Sequence, residues 1–76
     1  MSHDDKLVSM ANQIGRFFAA QGEARAVPEI AGHLRKFWTP RMRAGIVAHL
    51  QAGGAGLDDL PRKAVAVLAG EAAKAA

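Results

Sequence analysis

The dipeptide Thr39-Pro40 constrains this chain more than any other feature of its 76 residues. Proline has a fixed φ and no N–H, so it fits the first position of a helix and disrupts a helix interior. A threonine just before it is a good N-cap, because its hydroxyl can accept from a first-turn N–H that has no helical partner. The pair therefore ends one helix and starts the next with almost no loop between them. Helices joined so tightly must meet at a sharp angle. The corner falls inside the stretch from His33 to Leu50, HLRKFWTPRMRAGIVAHL, which also carries the single Trp and the basic residues Arg35, Lys36, Arg41 and Arg43.

Helical periodicity is readable on both sides of that corner. Asp4 and Asp5 favour the positive end of a helix over about Asp4 to Ala20, after a frayed lead-in at residues 1–3. Leu7, Met10, Ala11, Ile14, Phe17 and Phe18 fall within a sector of about 120° at 100° per residue, with Asn12 and Arg16 pointing away. Gly22 is the expected stop. A second helix opens at Pro28 and carries Val27, Ile30, Ala31, Leu34, Phe37 and Trp38, the same spacing repeated. Together these predict an antiparallel pair of similar amphipathic helices. The third helix runs from Pro40 to about Gln51, with Met42, Ile46 and Leu50 inward and Gly53-Gly54 as its stop. Residues 52–56 read as a glycine-rich hinge. Asp58-Asp59 then start a fourth helix, which admits Pro61 only in its first turn and offers Leu60, Ala64, Val67 and Leu68 as a weaker stripe. The tail from about residue 70, GEAAKAA, has little to bury and is expected to fray. The expected fold class is all-α: one domain over residues 1–76, a small bundle of three to four short amphipathic helices with a sharp turn at Thr39-Pro40.

Little in the chain looks like a reactive site. There is no Cys, so a disulfide, a thiolate zinc site and an iron–sulfur cluster are all excluded. His3, His33 and His49 lie far apart in sequence and lack carboxylates at ligand spacing. Asp58 and Asp59 are adjacent, a helix start rather than two acids facing one bond. Ser9 and Thr39 have no neighbouring base. Gly54 to Leu57, GAGL, follows no strand and lacks the Lys-Ser/Thr of a phosphate loop. No catalytic, cofactor-binding or metal residue is assigned, and the isolated chain is not expected to be an enzyme. No apolar run approaches the ~18 residues of a membrane span, and MSHDDK has no secretory pattern. A soluble cytosolic protein is the expectation.

The net charge of +3 permits an acidic partner or a nucleic acid. A small basic nucleic-acid-binding regulator is one reading of Arg35, Lys36, Arg41 and Arg43 around Phe37-Trp38, with the indole stacking on a base. It is the poorer fit: a recognition helix wants polar readout residues, and the third helix offers Ala44, Gly45, Val47 and Ala48. The paired aromatics suggest a protein partner instead. Phe17 and Phe18 lie about 100° apart on one helix, as do Phe37 and Trp38 if the helix persists that far. Either all four rings enter the core, one of each pair at its shoulder, or one of each pair stands exposed beside arginines. The second arrangement resembles protein–protein hot spots. It nominates Phe17, Phe18, Arg35, Phe37, Trp38, Arg41 and Arg43 as partner-binding residues. A chain this short buries only about 60% of its unfolded surface, and a partner would complete so small a core.

Three collinear strings cover most of the chain: KLVSMANQIGRFFAA from Lys6 to Ala20, HLRKFWTPRMRAGIVAHL from His33 to Leu50, and GGAGLDDLPRKAV from Gly53 to Val65. In them the chain resembles the delta subunit of bacterial NAD-dependent, molybdenum-containing formate dehydrogenase. MANQI-x-RFF and KFW-x-PRMR are the distinctive strings. Thr39 stands where the family is associated with an acidic residue, and either can cap a helix. The resemblance implies a cytoplasmic complex that oxidises formate to carbon dioxide and reduces NAD+. Its large subunit would carry a molybdenum bis(guanine dinucleotide) centre and iron–sulfur clusters, and other subunits FMN and further clusters. The delta subunit is expected to bind none of these. Its implied role is to assemble, stabilise or mature the complex through the large catalytic subunit, with no membrane partner. A chaperone that delivers the molybdenum cofactor is the alternative, its arginines attracting the cofactor's phosphates.

Overall fold

The computed structural model describes residues 3–75. α1 spans His3–Phe18, and one turn of 3₁₀ helix, Ala19–Gln21, extends it. α2 is Glu23–Phe37, α3 Pro40–Gln51 and α4 Asp59–Ala75. No strand occurs among the described residues, and the fold is the expected all-α bundle. Met1 and Ser2 of the expected lead-in lie outside the described residues, as does Ala76 of the tail. His3 already belongs to α1, and α4 continues helically past Gly70.

The corner forms as its sequence requires. Trp38 turns extended (φ −87°, ψ 143°), and the Thr39 hydroxyl oxygen accepts the Met42 N–H at 3.1 Å. Pro40 takes the first helical position. Arg43 reinforces the joint, its Nη1 donating to the carbonyls of Trp38 and of Arg35, the latter at 3.1 Å. A guanidinium placed on the last carbonyls of α2 satisfies acceptors with no helical donor and opposes the negative end of the helix dipole.

α2 begins five residues earlier than Pro28, at Glu23. Gly22 makes this possible with φ +86°, and its carbonyl accepts from Arg25 at 3.2 Å and Ala26 at 2.8 Å. Pro28 therefore sits inside the helix, where it removes the bond its N–H would have given to Ala24. Both residues lie on the exposed side, where water can take the freed carbonyl. Pro61, in contrast, falls in the first turn of α4 as expected.

The core gathers Leu7, Val8 and Ala11 of α1, Ala26, Ile30, Ala31 and Leu34 of α2, Trp38, Ile46, Leu57, and Ala64, Val65 and Leu68 of α4. The most extensive helix pairing is α2 with α4, and α1 and α2, the pair the shared spacing suggested, also pack on each other. α4 buries Pro61, Ala64, Val65 and Leu68, an i, i+3, i+4, i+7 face, and leaves Val67 exposed.

α1 departs most from its helical-wheel reading. Its buried residues are Leu7, Val8, Ala11, Asn12 and Gly15. That face is turned by about 90° from the most apolar one, taking 100° per residue. Asn12 was expected to point away and is 9% exposed. The reason is polar. Its Nδ2 donates to the Gly56 carbonyl at 2.9 Å, and its Oδ1 accepts the Asp58 N–H at 2.9 Å. Gly15 completes the contact, because a Cβ there would lie 2.8 Å from Pro61 Cδ. The glycine-rich hinge is thus a fastened loop. Arg62 donates to the carbonyls of Gly53 at 3.1 Å and Gly54 at 2.7 Å, and His49 Nε2 lies 2.8 Å from the Ala55 carbonyl. Gly54 is buried with φ +65°, a conformation that disfavours any side chain.

Candidate docking surface

Turning α1 toward the loop leaves the other edge of its apolar stripe outside the core. Met10, Ile14 and Phe18 are only partly covered, and Phe17 is 78% exposed. At the end of α2, Phe37 is 69% exposed. These residues form one edge. The Phe17 and Phe18 rings meet edge to face at 5.0 Å, Phe18 approaches His33 at 6.3 Å, and His33 lies 4.7 Å from Phe37. The rings thus touch one another while most of Phe17 and Phe37 still faces water.

Phe18 and His33 form a ridge with a hollow on each side. One hollow, about 290 Å³, is lined by Gln13, Ile14, Phe17 and the ridge. The other, about 340 Å³, lies between the ridge, Gly32, Lys36 and Phe37, with Glu29 on its rim. A larger concavity of about 540 Å³ lies between α3 and α4. Its floor is Ala44, Val47, Ala48 and Leu68, and its rim is the Arg35–Glu71 ion pair. That pair is already two-pronged, Arg35 Nε to Oε1 at 2.9 Å and Nη2 to Oε2 at 3.0 Å. The aromatic edge is the stronger candidate because two whole phenyl rings there face water.

The seven nominated residues do not form one patch. Phe17, Phe18 and Phe37 come together, with His33 as the ring between them. Arg41 is exposed in the first turn of α3. Trp38 is 5% exposed and belongs to the core. Arg35 and Arg43 hold the α2–α4 and α2–α3 junctions. Phe37 and Trp38 part company because the helix ends between them, so the 100° offset of a continuous helix does not apply. His33 was not among the nominated residues. Its i+4 relation to Phe37 was the signal that it could join the rings.

The donor set suits no cluster or metal ion: the chain has no Cys, and among the described residues no three His, Asp or Glu side chains converge. No helix among the described residues is long and apolar enough to cross a membrane. Fold and edge together define a class, a small all-α bundle with a contiguous aromatic surface. Residues 6–65 match the family of NADH-dependent formate dehydrogenase delta subunits, FdsD, and the chain belongs to that family. Among curated proteins and solved structures, none matches it.

Proposed function

We propose that the chain is a non-catalytic accessory subunit of a cytoplasmic NAD-dependent formate dehydrogenase. It assembles, stabilises or matures the complex by docking on the large catalytic subunit through Phe17, Phe18, His33 and Phe37. The observation that carries this reading is the exposure of two phenyl rings, 78% and 69%, on one edge of a chain in the delta-subunit family. Burying a phenylalanine side chain yields ~1.5–3 kcal/mol. Two rings therefore supply roughly 3–6 kcal/mol toward association, before the entropy of docking is subtracted. In this reading the molybdenum centre, the clusters and FMN stay on the other subunits, where formate is oxidised and NAD+ reduced.

The test is a Phe17→Ser/Phe37→Ser chain expressed in cells that lack the native delta subunit. Helical content and thermal midpoint should match wild type, while recovery of intact complex and formate-dependent NAD+ reduction fall steeply. Full recovery of both with the double variant sinks the reading.

A further inference from the structure

We infer that the element received by this edge is a segment of another subunit that is both apolar and acidic. Its apolar side chains seat in the hollows beside Phe18 and His33, and its carboxylates face Lys36 and Arg41. The inference rests on the docking reading above and adds the chemistry of the partner.

The argument is one of charge left over. The bundle matches many of its own charges: Lys63 with Glu23 at 2.7 Å, Arg35 with Glu71 at 2.9 Å, and Arg16 with Asp58 at 3.9 Å. Arg43 and Arg62 are held by backbone carbonyls. Lys36 and Arg41 are both exposed, and neither makes an ion pair among the described residues. They stand on either side of the corner that displays Phe37, one in the last turn of α2 and one in the first turn of α3. Lys36 also lines the second hollow. Opposing these two cations is Glu29 on the rim of that hollow, so the edge keeps a positive excess. An apolar hollow beside Phe17, a mixed one that holds Lys36, and Arg41 across the corner complement an apolar segment with carboxylates at its border. Such border charges act chiefly on the rate of encounter and on its salt dependence.

A nucleic acid would also bring negative charge and stacking bases. It fits less well, because two cations provide few phosphate contacts and α3 next to Arg41 presents Ala44 and Val47 rather than polar readers.

The experiment titrates the full-length chain against formate dehydrogenase complex purified without its delta subunit, over a series of salt concentrations. Three variants are compared with wild type: Lys36→Gln/Arg41→Gln, Arg25→Gln/Lys74→Gln with the same loss of charge, and Phe17→Ser/Phe37→Ser. The first pair should weaken low-salt binding on the order of tenfold and flatten its salt dependence. The second pair should change it little. Equal losses for the two charge pairs, or none for either, while the phenylalanine variant still fails to bind, overturn the acidic partner and leave docking intact. Wild-type binding by the phenylalanine variant, or no binding by the wild-type chain, removes the docking reading and this inference with it. Capture of a single-stranded DNA or RNA oligonucleotide by the isolated chain, abolished by Lys36→Gln/Arg41→Gln, assigns the cations to nucleic acid and also overturns it.

Discussion

Two sides of the bundle are built from the same strings of sequence and end in opposite conditions. On one side, Asn12, Gly15, Trp38, Arg43 and Arg62 are held by named partners, and the polar atoms of Asn12 and Arg62 fasten the glycine loop. On the other, Phe17, Phe18, His33 and Phe37 touch one another, and Phe18 alone of the three phenylalanines also packs against the core. MANQI-x-RFF contributes Asn12 and Gly15 to the first and Phe17 and Phe18 to the second. KFW-x-PRMR does the same with Trp38 and Phe37. A motif of this kind mixes residues the fold requires with residues the fold leaves uncovered. Only the second group needs a reason outside the chain.

The contrast can be broken at its strongest point first. Trp38→Ala should cost about 3–5 kcal/mol, against a total of roughly 4–11 kcal/mol for a chain of this length. Chemical denaturation should find it barely folded or unfolded at room temperature, whereas Phe37→Ala should stay within about 0.5 kcal/mol of wild type. A Phe37→Ala loss as large as that of Trp38→Ala would erase the distinction between the two sides. Asn12→Ala comes next. It removes two hydrogen bonds to the exposed residues Gly56 and Asp58, at about 1–3 kcal/mol for the two. Faster amide exchange across residues 53–58 should accompany the lower midpoint, and unchanged exchange there would show that Asn12 does not hold the loop.

The smallest expected effect is electrostatic. The hydrogen bond that Lys63 donates to Glu23 raises the Lys63 pKa above its ordinary 10.5, opposed by desolvation and aided by the charges of Glu23 and Asp59. A raised folded-state value means that the pair's contribution is fully present below the unfolded value and is lost as pH rises through the folded one. The ammonium is wholly exposed, so the stability at stake is minor. An NMR titration should place Lys63 above 10.5, and Glu23→Gln should return it toward 10.5.

The corner was the most legible part of the fold, because a Thr-Pro pair restricts the backbone locally and no distant contact is needed to interpret it. The third helix accordingly begins and ends where its sequence places it. α1 was legible as a helix but not in its orientation. Hydrophobic spacing ranks faces by apolarity, and the fold chose a face with an asparagine and a glycine because a loop some forty residues on offered a carbonyl and an N–H. That loop read as a hinge for the same reason: glycines announce backbone freedom, while the Asn12, His49 and Arg62 side chains that fasten it lie elsewhere in the chain. Of the docking candidates, the exposed member of each aromatic pair could not be chosen from spacing. For Phe17 the choice followed from the turn of α1, and for Phe37 from the helix ending one residue before Trp38.

The hydrogen bonds of Asn12 also bear on the order of folding. They span 44 and 46 residues of chain. Closing a loop of that size costs roughly 3 kcal/mol of chain entropy, so these bonds form only when much of the bundle is already gathered. During synthesis the aromatic edge is encoded in full once residue 37 has emerged, whereas the fastening of the loop waits for Arg62. The aromatic edge is thus spelled out in the first half of the chain, and the hydrogen bonds that fasten the loop are completed by the second.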